Sequence, residues 1–173
     1  EEAKKITEKK DVVNPEDIIP ARFIDDYNRL YSYSLQVDHD IFWVAEPFTG
    51  LPWMEAMLGC KVYGSKDSMW TEPFVKDIEK LDRITLQEEN PWHNKFIEFT
   101  ELLSHISEGR FPVGQPILRG VSDMLGALVG QGEMPFYFYD EPERMKEICR
   151  RLNNAFLQVV KKQQDSVPRF YGG

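Results

Sequence analysis

Apolar residues recur at helical spacing along much of this chain, and short continuous apolar runs fall between those stretches. Residues 1–19 differ. The opening EEAKKITEKKD is charge-dense with few apolar anchors and reads as a charged arm, either frayed or a short solvated helix. Pro20 suits a first helical turn, and Phe23, Tyr27, Leu30 and Ser34 then share one face of a helix to about Leu35, with Asp25, Asp26 and Arg29 outward. Ile41-Phe42-Trp43-Val44-Ala45 is a continuous apolar run suited to a strand buried on both faces. Glu46-Pro47-Phe48-Thr49-Gly50 closes it as a loop, because proline cannot donate within a ladder.

Pro52 opens a short helix over Trp53–Leu58 that Gly59 can end. Cys60–Tyr63 patterns as a second strand, Ser65–Ser68 as a turn and residues 73–81 as another short helix. Asn90 and Pro91 start a long helix to Gly109 whose stripe is Trp92, Phe96, Phe99, Leu103 and Ile106. Phe111–Leu118 is a strand interrupted by proline, and residues 121–129 form a helix. The last helix opens with Asp140, Pro142 and Glu143 in the pattern of a capping box and carries Met145, Cys149, Leu152, Phe156 and Val159 as its stripe. Arg169–Gly173 reads as the first residues of a further strand. Strands alternating with helices predict βαβ units and a parallel sheet, an α/β fold. A complete (β/α)8 barrel takes about 250 residues, so 173 residues leave a small open sheet or part of a barrel.

Composition narrows the function more than the fold. With 42% hydrophobic residues the chain is globular rather than disordered. A net charge of −8 argues against nucleic-acid binding, which needs a basic surface. No apolar run approaches the roughly 18 residues of a membrane span, so no membrane association is expected. Two cysteines, Cys60 and Cys149, make no disulfide framework and point to a cytoplasmic protein. Cys149 lies on an apolar stripe and reads as packing. His39, His93 and His105 have no metal-ligand spacing with each other or with the cysteines, so no metal site is expected in this chain.

Two stretches carry a resemblance. One is Asp40-Ile41-Phe42-Trp43-Val44-Ala45-Glu46 followed by Trp53–Val62; the other is Arg110-Phe111-Pro112-Val113-Gly114-Gln115-Pro116-Ile117-Leu118-Arg119-Gly120-Val121-Ser122-Asp123-Met124-Leu125, with Tyr139-Asp140-Glu141-Pro142-Glu143 after it. In this order they resemble the uroporphyrinogen decarboxylase superfamily over residues 22–173. The resemblance implies that residues 20–173 form the N-terminal half of a partial (β/α)8 TIM barrel of the uroporphyrinogen decarboxylase type. The family's Arg-rich opening loop has no counterpart in residues 1–20.

In such a barrel the active site lies where loops leave the C-terminal ends of the strands. Three groups fall there: Glu46, Arg119 and Asp123. The resemblance sets Glu46 or Pro47 beside the family's strand-end Asp, with Glu46 as the acid or cation stabiliser of a decarboxylase-like lyase acting on a carboxylate-bearing, tetrapyrrole-type substrate. Asp123 joins it as a candidate catalytic residue, and Arg119, Gln115 and Trp53 form the candidate substrate-binding set. Arg119 suits bidentate capture of a carboxylate, or equally an ion pair with a helix carboxylate. Asp123 also suits a helix N-terminus through the dipole, Glu46 a solvated loop, Glu55 a helix surface or a buried hydrogen bond, and Trp53 the core.

For decarboxylation the resemblance implies no cofactor. Methyl-transferring members of the same superfamily use zinc, with ligands that would lie outside this chain, and a corrinoid protein partner. A third class is a non-catalytic interaction fragment, and a homodimer is among the assemblies left open.

Overall fold

The computed structural model describes residues 1–9, 11–38, 40–66 and 68–170. His39, Asp67 within the expected turn, and residues 171–173 of the expected last strand lie outside them. Helices α1 (Glu2–Lys9) and α2 (Ile24–Ser34) flank a two-residue strand, β1 (Val12–Val13). A single turn, α3 (Trp53–Met57), leads into the hairpin of β2 (Val62–Ser65) and β3 (Ser68–Thr71). Then come α4 (Ile78–Leu81), α5 (Pro91–Ser107), α6 (Val121–Val129), α7 (Met134–Asp140) and α8 (Pro142–Ser166).

This arrangement overturns the expected partial (β/α)8 barrel. The structure is 55% helical, and the one sheet among the described residues is antiparallel in the order β1-β2-β3, with Val12 opposite Tyr63 and Val62 opposite Thr71. The apolar run 41–45 and the segment 111–118 do meet in parallel, but only through one bridge between Ala45 and Val113. Its hydrogen bonds run from Ala45 N to the Pro112 carbonyl at 3.0 Å and from Gly114 N to the Ala45 carbonyl at 2.8 Å. Pro47, Pro112 and Pro116 have no N–H to extend that ladder. Nor is the run buried on both faces: Ala45 is fully buried, whereas Ile41 is 79% exposed and Phe42 62% exposed.

The long helices follow their stripes. Asn90 caps α5, its side-chain oxygen accepting from His93 N at 3.0 Å, with Pro91 at the first helical position. Phe96, Phe99 and Leu103 of α5 meet Met145, Ile148, Leu152 and Val159 of α8 and Met124, Leu125 and Leu128 of α6 in one core. The start of α8 differs from the expected capping box, because Asp140 closes α7 and Glu141 precedes Pro142. Residues 73–77 are not helical, and only Ile78–Leu81 form α4. The charged arm supplies α1, packed on β2, and buries Ile6, Val13 and Ile18. A ring cluster joins the layers: Phe23 lies 5.1 Å from Phe99, and Trp43 lies 5.1 Å from Phe111.

Candidate functional site

The five residues of α3 are all buried, so Glu55 in its middle has no path to solvent and is 0% exposed. Pro52 sets the start of this turn, and Gly59, with φ +97°, ends it in a conformation that favours glycine. One Glu55 oxygen accepts from Arg119 Nη1 at 3.0 Å, while Oε2 has no hydrogen-bond partner among the described residues. Arg119 follows the irregular segment 111–118, just before Gly120, which precedes α6. Its side chain is 48% exposed, so a buried carboxylate anchors one edge of a guanidinium that otherwise faces outward.

Arg119 lines a cleft of about 460 Å³, within the size range of small-molecule sites. Two further cations line it, Lys4 on α1 and Lys66 after β2, and no carboxylate does among the described residues. The Thr7 hydroxyl reaches the Lys66 carbonyl at 3.4 Å and ties α1 to the hairpin. Phe48, Leu51, Met69 and Ile117 supply apolar lining. The cleft thus sets three cations over apolar surface, and guanidinium and ammonium donors make charge-assisted hydrogen bonds to carboxylates.

Glu46 opens onto a neighbouring hollow of about 330 Å³, which shares Ala3, Phe48, Thr49 and Gly50 with the Arg119 cleft. The Thr49 hydroxyl donates to Glu46 Oε2 at 3.4 Å, and the Tyr27 hydroxyl donates to the Glu46 carbonyl. Burial first, and then the charges of Glu46 and Asp26, push the Tyr27 phenol well above its ordinary range, so it stays a neutral donor. Trp53 is fully buried, with its indole N–H on the Phe48 carbonyl at 3.1 Å and its ring edge-on to Phe96. It supports the loop between the two hollows and offers no surface to a ligand.

The remaining expected residues lie apart. Gln115 is exposed and lines a separate depression of about 770 Å³ beside Gln163, whose amide donates to the Gly114 carbonyl at 3.0 Å. Asp123 is exposed in the first turn of α6, where a carboxylate complements the helix dipole. Cys60 lies near Glu55. Burial, and then the Glu55 charge, raise its thiol to about 12, which leaves a poor nucleophile. Among the described residues no three His, Cys, Asp or Glu side chains form a group able to hold a metal ion, and no helix is long and apolar enough to cross a membrane.

Lys4 and Lys66 are the site residues that sequence reasoning passed over. Lys4 is hidden in a charged run, and Lys66 sits in an expected turn; nothing local marks either as facing Arg119. The pairing of Glu55 with Arg119 joins two separate readings, a buried hydrogen-bonding carboxylate and an arginine in an ion pair, across 64 residues of sequence. No protein-family model, curated protein or solved structure matches this chain.

Proposed function

We propose that the chain binds a carboxylate-bearing, ring-type small molecule in the Arg119 cleft and acts on it as the resemblance to uroporphyrinogen decarboxylases implies. The observation that supports this most is Arg119 itself, held on one edge by a buried carboxylate and half-open towards a cleft shared with two lysines. Arg119 clamps a non-reacting carboxylate, and the apolar lining takes the ring. In the reaction the bond between the leaving carboxylate and its carbon breaks, carbon dioxide departs, and the electron pair returns to the ring system, which takes up a proton. Glu46, with Thr49 on one oxygen, is the donor assigned to that step.

The test is titration of the protein's tryptophan fluorescence with a porphyrin tetracarboxylate and with its methyl ester. The acid is expected to bind and the ester to fail. Arg119→Ala is expected to weaken the acid by about 10- to 100-fold, the worth of one charge-assisted contact. Equal binding of acid and ester would overturn the reading.

A second reading, an interaction surface for another copy of the chain, is favoured by the exposed apolar side chains of Leu35, Val37, Ile41 and Phe42. Light scattering of the purified chain separates the two. A monomer at all concentrations removes the second reading, and a dimer lost in Ile41→Lys supports it.

A further inference from the structure

Glu55 is poorly explained by stability. A buried carboxylate is costly to desolvate, and a lone ion pair returns that cost only with good geometry and full hydrogen bonding. Here one oxygen is paired and the other, equally buried, has no partner. The fixed end of the pair is Glu55, on a turn whose five residues are all inside. The free end is Arg119, on a segment outside any helix or strand and with about half of its side chain exposed. Among the described residues the other Arg119 N–H groups make no hydrogen bond, so they are available to a ligand.

We propose that Glu55 is the positioning residue of the anion site: it holds the Arg119 guanidinium in one orientation, so that the remaining N–H groups meet a ligand carboxylate already aligned. This rests on the reading of the Arg119 cleft as a carboxylate site. An exposed arginine otherwise loses rotamer freedom each time it binds, and a guanidinium restrained beforehand avoids that cost. Lys4 and Lys66 have no such partner among the described residues and act as mobile charges. Glu55 touches no ligand and acts only through Arg119.

The position suggests a variant that separates support from function. Glu55→Met removes the acceptor and the charge, keeps the length and suits an apolar surround, so its thermal midpoint is expected at or above that of the natural chain. Its affinity for a porphyrin tetracarboxylate is nevertheless expected to fall about tenfold. Glu55→Gln, which keeps an acceptor without the charge, is expected to fall between the two. In an Arg119→Ala background Glu55→Met is expected to change nothing further.

A Glu55→Met protein that binds as the natural chain does, while Arg119→Ala is weakened, overturns the role of Glu55 and leaves the cleft reading intact. So does a Glu55→Met loss of the same size with and without Arg119. If Arg119→Ala binds normally, or the natural chain binds no porphyrin, the cleft reading fails. Nitrogen NMR of the Arg119 guanidinium then decides the positioning claim alone: restrained Nη rotation is expected in the natural chain and averaged rotation in Glu55→Met. Identical rotation in both overturns it.

Discussion

Asn90 staples the start of α5 to the end of α3, and its removal shows how firmly the turn bearing Glu55 is held. Its side chain is buried and works at both ends. The oxygen accepts from His93 N at 3.0 Å, and the amide donates to the Met57 carbonyl at 2.7 Å. Asn90→Ala removes an N-cap, worth about 1 kcal/mol, and leaves a buried carbonyl without its donor, worth about 1–3 kcal/mol. The expected loss is therefore about 2–4 kcal/mol, a large share of the 5–15 kcal/mol typical of a domain. At this chain length that lowers the thermal midpoint by about 4–16 °C. Asn90→Ser keeps a capping oxygen but cannot reach Met57, so it is expected to recover only the capping part. Urea unfolding followed by tryptophan fluorescence measures both, with a shifted midpoint and unchanged slope as the sign of a native-state effect. A loss below about 1 kcal/mol for Asn90→Ala, or equal losses for the alanine and serine variants, would refute the two-ended account.

Phe99, fully buried against Phe23 and Tyr27, is expected to cost about 3–5 kcal/mol on truncation to alanine, measured in the same way. Two glycines separate by sign. A Cβ at Gly114 would stand 2.5 Å from Val44 Cγ1, so Gly114→Ala forces apart the segments joined at Ala45 and is expected to cost about 1–3 kcal/mol. The three atoms nearest a Cβ at Gly126 all belong to the end of the exposed, flexible Gln131 side chain, the nearest at 2.1 Å, so Gly126→Ala inside α6 turns that side chain away and is expected to stabilise by about 0.5–1 kcal/mol through helix propensity. Burial, and then the Lys162 charge, hold His93 below its ordinary 6.5. The unfolded chain therefore takes up a proton that the folded chain refuses, and this group's contribution to stability is lost as pH falls below about 6.5. Thermal midpoints between pH 7.5 and 5 are expected to fall less steeply in His93→Gln, and an unchanged slope would refute that assignment.

Helices α5, α6 and α8 were legible in the sequence because a 3.6-residue apolar period survives in any environment that covers one face, and Asn90-Pro91 marks a start by local chemistry. Helix α7 was not legible: its Phe-Tyr-Phe-Tyr core shows no polar face, and its exposure depends on neighbours far along the chain. The runs 41–45 and 111–118 were read as strands, and neither forms one: they share a single bridge between Ala45 and Val113. Their burial and pairing were not readable, since an apolar pentapeptide looks the same inside a sheet or open to solvent. The hairpin took the pairing instead, because Val62–Ser65 and Ser68–Thr71 are adjacent in sequence and close with little loop entropy.

For the site, local sequence determined the chemical types: an arginine beside a glycine before a helix, and a carboxylate in a short apolar turn. Residue type and spacing are properties of the chain itself. Tertiary structure decided that Glu55 is sealed inside and meets Arg119, that Lys4 crosses from the arm to the same cleft, and that Gln115 and Asp123 lie elsewhere. Those outcomes depend on which helices pack together and which side chains water still reaches, and no pattern along the chain encodes a distance across 64 residues.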